Sequence, residues 1–345
     1  MNIGEIAKRA GVSRSTVSYA ISGKRAVSEP TRRRIQQVID QLEYRPNAAA
    51  RALKEGRTRT LGLVVAPSAA HRLTCVQQEV VAGVLDAAAQ VDLDVLLAPT
   101  GGDHERSFDR MVDGRRVDGI VLMDVRLEDP RTDRLQRTGM PFATVGRTAY
   151  PEGMAWVDVD YAALVGRCVH HLADLGHQHI ALINHSADLL GAGDGPGHRA
   201  RQGFRDAVMR CDVGGVEYSC GEDAPSGDAC IGEILRAHPE VTAAVTVNEP
   251  ALIGLARALQ RRGLSVPADF SIAGVGARRW AEEFQPQLTA ADVPAARMGA
   301  GAVDLLTARI ADPSGAARHL LLAPPISLRD STGRAPTVRA RAAGR

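Results

Sequence analysis

Up to Leu42 the apolar residues recur every three or four positions, the spacing of helices that bury one face. The pattern predicts three helices. The first begins near Asn2, where Asn2 and Glu5 stand at capping-box spacing. The second runs from Arg14 to Ile21 with Ser13 as its cap, and the third opens at Ser28-Glu29-Pro30, with Ser as cap and Pro in the first turn. Ala7 is small where two helices must cross, and Gly11 sits where the turn between them needs positive φ. Val12, Val17 and Ile21 lock the first pair, and Ile35, Val38, Ile39 and Leu42 close a small core with Ile6. Arg14, Ser15, Ser18 and Tyr19 are left to point outward. This is the pattern of a helix-turn-helix whose second helix can lie in a DNA major groove. An ordinary αα-hairpin remains the alternative for this stretch alone.

After the break at Tyr44-Arg45-Pro46-Asn47 comes a short helical run, Ala48 to Lys54, and a loop from Glu55 to Thr58. From Leu61 the rhythm changes. Short apolar runs at Leu61–Val65, Asp94–Leu97, Gly119–Met123 and Phe142–Val145 suit parallel strands, with amphipathic helices at Val76–Gln90 and Ala162–Leu175. Further strand runs follow at Ile180–Ile183, Ala243–Val247 and Ile272–Val275. Regular βαβ alternation over roughly 260 residues predicts a parallel, doubly wound α/β body, and that length calls for two lobes.

Charge sharpens the division. Residues 1–60 hold thirteen Lys or Arg against five Asp or Glu, a balance of +8, while the remainder holds twenty-nine against thirty-five, a balance of −6. A basic head on a mildly acidic body is the footprint of a nucleic-acid-binding module joined to something else. Arg334, Arg339, Arg341 and Arg345, set among Gly, Pro and Ala, read as a disordered basic tail over 331–345. No run of eighteen apolar residues occurs, and the first helix leaves no room for a charged-then-apolar leader, so a cytoplasmic protein with no membrane partner is expected. Cys75, Cys168, Cys211, Cys220 and Cys230 are odd in number and lack a CxxC pair, which favours reduced, mostly buried thiols.

Ala10-Gly-Val-Ser13, Thr16-Val-Ser18, Val27-Ser28 with Thr31-Arg32, and Tyr44-Arg-Pro-Asn-Ala-Ala-Ala-Arg-Ala-Leu53 together resemble the LacI/GalR family of bacterial transcription regulators. Weaker echoes are Asp118-Gly-Ile, Leu175-Gly-His177, Gly203-Phe204, Pro286-Gln-Leu-Thr289 and Arg329-Asp-Ser-Thr332. The resemblance spans residues 2–332 and implies a homodimeric repressor on a pseudo-palindromic double-stranded operator. It implies a helix-turn-helix domain over 1–45, a hinge helix and linker over 46–60, and a periplasmic-binding-protein-like body over 61–330. In that body, lobe one would be 61–157 with 293–316, and lobe two 158–290 with 317–330. A small-molecule effector, a sugar among the candidates, would bind between the lobes, change their angle and so alter the hinge spacing.

By the same resemblance Ser13, Thr16 and Ser18 grip phosphates, while Arg14, Ser15 and Tyr19 occupy base-reading positions with Arg25 as a further candidate. For each arginine, phosphate contact is the competing role. Asn47 belongs to the entry of the hinge helix. Leu53 matches the residue that wedges into the minor groove at the operator centre, with Lys54 close to the backbone. The run is too short for a stable helix in water, so folding coupled to DNA binding is expected.

The body departs from the family where sugars bind. The arginine common three residues before Gly-Phe is Ala200 here, flanked by Arg199 and Arg201, and the aspartate after the strand ending in Val275 is replaced by Gly276-Ala277. The family's Asn-Asp pair is partly kept, as Asn248-Glu249. The remaining effector candidates are Arg147, Arg199, Arg201, Asn248, Glu249 and Trp280, in a pocket expected to be less polar than a sugar site or to hold something else. With only twelve aromatics in the chain, Trp280 is the best stacking partner. Regulation by a protein partner instead of a small molecule is the alternative. His170, His171, His177 and His179 near Cys168 cross a helix end into a strand, so no metal is expected. Gly193-Asp-Gly-Pro-Gly197 reads as a flexible turn because no Lys-Ser/Thr follows, and no catalytic arrangement or cofactor motif emerges.

Overall fold

The computed structural model describes residues 3–22, 25–42, 56–65, 73–98 and 104–336. Two compact units emerge, Met1–Thr58 and Arg59–Arg345.

The head holds α1 (Ile3–Ala10), α2 (Arg14–Ser22) and α3 (Glu29–Gln41). Ile6, Ala7, Ala10, Val17, Ile35 and Val38 are buried together, with Val12, Ala20, Ile39 and Leu42 against them. Gly11 adopts φ +65, as the turn requires. Ile21 is a correction: it is 36% exposed, because the inward face of α2 is centred between Val17 and Ala20 and leaves Ile21 at its edge. Ser28 stands at the N-cap of α3, yet its hydroxyl donates to the Thr31 hydroxyl (2.8 Å) and caps no backbone N–H. Asn2, and with it the capping-box expectation, lies outside the described residues, as do Asn47, Leu53 and Lys54 of the hinge.

The second unit carries two six-stranded sheets. The first contains β1 (Thr60–Val64), β2 (Asp94–Leu97), β3 (Gly119–Leu122), β4 (Phe142–Val145), β5 (Ala155–Val159) and β11 (His319–Leu322), in the order β11-β5-β4-β3-β1-β2. The second contains β6 (His179–Asn184), β7 (Gly214–Ser219), β8 (Ala243–Thr246), β9 (Ser271–Ala277), β10 (Thr289–Val293) and β12 (Ile326–Ser327), in the order β12-β10-β9-β8-β6-β7. All pairings are parallel except β10 with β12. β3, β4, β5, β8, β9 and β10 are buried throughout, as parallel strands covered on both faces must be, whereas edge strand β2 is mostly exposed.

Helices α4 (Cys75–Gln90), α5 (His104–Val112), α6 (Pro130–Thr138) and α13 (Ala295–Ala311) belong to the first lobe. Helices α7 (Tyr161–Asp174), α8 (Ala187–Gly191), α9 (Gly195–Arg210), α10 (Ala224–Ala237), α11 (Leu252–Arg261) and α12 (Arg278–Glu283) belong to the second. Between lobes the chain crosses after β5, after β10, and between β11 and β12. Among the described residues no helix is long and apolar enough to cross a membrane.

Three expectations are corrected here. The stretch 317–330 does not lie wholly in lobe two, because His319–Leu322 pairs in parallel with Trp156–Val159 at the edge of the first sheet. The tail does not start at 331. Ser331 is fully buried, accepts from Thr289 N (2.8 Å) and donates to Ile272 O (2.6 Å), and Ala335 N still reaches Leu175 O (2.9 Å). Gly195-Pro196-Gly197 is no flexible turn but the first turn of α9, fixed by Asp194 capping Gly197 N (2.8 Å).

Candidate functional site

In the head, the start of α2 gathers hydroxyls. Ser13 Oγ accepts from Thr16 N (3.1 Å), capping the helix as expected, and lies 2.7 Å from Ser15 Oγ and 2.8 Å from Thr16 Oγ1. Backbone N–H groups at a helix N-terminus favour anions, so this cluster suits a phosphate. Arg14 is exposed, and its guanidinium lies across α1 where a side chain at position 4 would meet it: a Cβ on Gly4 would stand 2.8 Å from Nη2. Ser18 and Tyr19 are half-buried on α2, and Arg25 is exposed. Sequence reading passed over Arg33 and Arg34, which stand exposed in a row with Arg32 on α3. Consecutive helical positions fan round the axis, so the run looked like ordinary solvated surface.

In the body, ligands of parallel α/β sheets bind beyond the carboxyl ends of strands. Here those ends belong to both lobes, and bonds already join them. Leu127 N donates to Gly193 O (2.8 Å), Arg199 Nη2 donates to Arg147 O (2.9 Å) and Thr148 O (3.2 Å), and Cys75 N donates to Glu249 Oε2 (3.1 Å).

The six effector candidates separate on inspection. Arg147 and Arg199 come together around Asp158. Arg147 Nε is 3.7 Å from Asp158 Oδ2, and its guanidinium lies over the Trp156 ring at 5.4 Å. Burial pushes the Asp158 carboxyl up to about 6, against the pull of Arg199 and Arg147. Burial also lowers Arg199. Thr148 Oγ1 and Asp158 Oδ2 are buried without a hydrogen-bond partner among the described residues.

Glu249 is buried, its Oε1 accepting from Ala277 N (2.8 Å). Burial raises this carboxyl, and the N–H donors of Ala277, Cys75 and Val76 oppose the rise. Asn248 is held by backbone partners. It is fully buried and spent on backbone, donating to Cys220 O (2.8 Å) and accepting from Ala251 N (3.2 Å), because a loop this deep must satisfy its own carbonyls. Trp280 donates its indole N–H to Glu249 O (3.2 Å) and packs on the core of lobe two, so it is committed there. Arg201 pairs with Glu217 on β7, since two residues beyond Arg199 is about 200° round a helix.

Sequence reading missed the groups that complete the polar set. His185, one residue past β6, bonds Asp194 Oδ2 through Nδ1 (2.7 Å) and Val247 O through Nε2 (3.1 Å). Burial opposes its protonation, but the bond and charge of Asp194 prevail and raise it. Asp194 is lowered in turn, since His185 outweighs burial. Gln77 Nε2 donates to Asp124 Oδ2 (2.9 Å), just past β3. Burial raises the Tyr161 phenol at the start of α7, and Asp158, Asp194, Glu249 and Asp124 all add to the rise. The position of Asp124 and His185 just past strand ends was the signal that could have found them. These side chains add to the polar groups gathered at the strand ends of the two lobes.

The histidine run disperses. His170 bonds Gly166 O (2.6 Å), His171 bonds Thr332 Oγ1 (3.0 Å), and His177 bonds Thr242 Oγ1 (2.7 Å) and Ser271 Oγ (3.1 Å). Among the described residues no group of three or more His, Cys, Asp or Glu could hold a metal.

Residues 2–47 match the family described as bacterial regulatory proteins, lacI family, and residues 169–332 match the periplasmic binding protein-like domain. The HTH-type transcriptional regulator CelR of Thermobifida fusca is 31% identical over 339 residues, covering 94% of this chain and 96% of that protein. The HTH-type transcriptional repressor PurR of Vibrio campbellii (strain ATCC BAA-1116) is 29% identical, covering 95% and 98%. Among solved structures, a transcriptional regulator CelR–cellobiose complex aligns with TM-score 0.70 at 28% identity, covering 96% of this chain and 99% of that one. The lac repressor dimer bound to operator and the anti-inducer ONPF aligns with TM-score 0.83 over the same shares, and at 22% identity it speaks for the fold. These relatives are regulators and not enzymes. With a helix-turn-helix head, a two-lobed body and a relative matched along almost its whole length, this chain belongs to the LacI family of bacterial DNA-binding transcription regulators.

Proposed function

We propose that the protein is a cytoplasmic, dimeric repressor whose grip on a pseudo-palindromic operator is set by a small molecule held between the two lobes. In this reading Arg14, Ser15 and Tyr19 read base edges, with Arg25 beside them. Ser13, Thr16 and Ser18 hold phosphates, while Asn47, Leu53 and Lys54 serve the hinge at the operator centre. One observation carries the effector half of the reading. Polar groups from strand ends of both lobes meet across one boundary, where bonds such as Arg199 to Arg147 O and Thr148 O can be made or broken as the lobes move. The cellobiose of the CelR complex makes a sugar the first class to try. Dimerisation is supported by large apolar side chains left exposed on neighbouring elements, Leu85 on α4, Val91 beyond it, and Leu96 and Leu97 on edge strand β2.

The reading without a small molecule draws on a different observation, that each of the six candidate residues already has a partner inside the body. A thermal-shift screen of sugars, nucleosides and secondary metabolites decides between them. A ligand that raises the melting temperature steadily with its concentration, and shifts operator affinity in a fluorescence anisotropy titration, is the expected result. Operator binding indifferent to every stabilising compound would favour the protein-partner reading.

A further inference from the structure

Glu249 is the only one of the effector candidates whose carboxylate spans the lobe boundary onto backbone donors. It follows β8 in lobe two. One oxygen stays in that lobe, accepting from Ala277 N (2.8 Å) at the start of α12, and the other reaches Cys75 N (3.1 Å), the first residue of α4 in lobe one. Val76 N, next in the turn, adds to the pull that favours the charged carboxylate. The residue is 8% exposed, so water competes little for these bonds. Thr74 and Gln77 already close a capping box at the start of α4, which leaves the next N–H groups of the first turn to be satisfied from outside. A carboxylate at a helix N-terminus is favoured by both the free donors and the helix dipole. Charge-assisted bonds of this kind are about twice as strong as neutral ones.

We propose that Glu249 is an interlobe latch, a positioning residue that sets how firmly lobe two closes on the α4 terminus of lobe one. The proposal rests on the reading of the lobes as a moving pair. Removing one methylene shortens the side chain by about 1.5 Å, a single carbon–carbon bond. A carboxylate anchored in lobe two would then keep Ala277 N and lose Cys75 N. A ligand that opens the lobes must break the Cys75 bond, and one that closes them keeps it.

Amide hydrogen exchange on the full-length protein tests the latch. In Glu249→Asp, exchange at Cys75 should speed up about tenfold or more, while Ala277 and the amides of β8 and α11 keep their rates. Glu249→Gln, which keeps the length and loses the charge, should also speed Cys75. It should further make the Cys75 thiol more readily alkylated in peptide mass maps, because burial first and then the Glu249 charge hold that thiol up. Unchanged exchange at Cys75 in both variants would overturn the latch. So would acceleration spread evenly over both lobes, which would make Glu249 a residue of the fold. These readouts need no effector, so their failure would count against the latch alone. A cleft ligand that never shifts operator affinity would count against the effector reading alone.

Discussion

Arg14 and Thr16 stand two residues apart on α2 and should fail in different ways. If Arg14 takes its fork to guanine O6 and N7, Arg14→Ala should cost about 1–3 kcal/mol and relax preference at a single base pair. Thr16→Ala should weaken every sequence alike. Anisotropy against a panel of half-site variants separates the two, and equal, sequence-blind losses would sink base reading by Arg14. Asp158 makes a second prediction, from burial. Its folded pKa, about 6, lies above the ordinary 3.8, so the folded state holds this proton more tightly than the unfolded chain. The stabilisation is therefore full below pH 3.8 and is lost as pH rises through about 6. The loss is roughly 3 kcal/mol at most, the shift converted at about 1.4 kcal/mol per unit. Urea midpoints of Asp158→Asn between pH 4 and 7 should lack this fall, and a slope parallel to that of the parent would contradict it. What was legible at this scale was local. Ser13 as cap and Gly11 as turn follow from chain neighbours alone. The roles of Arg201 and Asn248 depended on Glu217 and the Cys220 carbonyl, partners distant in sequence that no periodicity reveals.

Elements were more legible than side chains because their periods are set by burial on one face or two. The Asp94–Leu97 and Phe142–Val145 strands fall where the apolar runs put them, and α4 and α7 begin one residue before their predicted starts. Strands with weak apolar runs left no such trace. β7 carries Gly214, Gly215 and Glu217 in a partly exposed strand, and β12 is only two residues long. Packing between elements yields a prediction of its own. Where α4 meets α13, a Cβ on Gly83 would stand 2.1 Å from the Ala296 carbonyl oxygen, a backbone atom that cannot swing aside. Gly83→Ala should therefore destabilise the body by about 1–3 kcal/mol or more. Gly191, at the end of α8, has nothing within 4 Å of its would-be Cβ, so Gly191→Ala should be neutral or gain about 0.4–1 kcal/mol. Chemical denaturation of the two variants makes the comparison. Equal midpoints would mean that α4 and α13 do not approach as closely as described.

For the whole molecule, the two-lobed parallel body and the basic head were both visible in strand spacing and charge, while the last boundary between the lobes was not. A chain that crosses between lobes three times hides the last crossing, because β11 and β12 are short and four residues apart yet belong to different sheets. The division of labour predicts what a truncated chain will do. Residues 59–345 form a compact unit with their own buried core, and the excess positive charge lies before them. That fragment should fold and dimerise without measurable operator affinity. Full-length protein should lose affinity steeply with added salt as phosphate counterions are released and re-bound. The dimer surface can be tested on the same fragment. Leu97 is 49% exposed on edge strand β2 beside exposed Leu96, so Leu97→Glu should leave the fold intact, as no buried contact is lost. Placed in a dimer interface the new carboxylate would be buried without a partner, which costs several kcal/mol and should give monomers. Sedimentation equilibrium of the fragment and its Leu97→Glu variant reads both. A monomeric parent fragment would refute a dimer held by the body, and an unaltered dimer in the variant would move the interface away from β2.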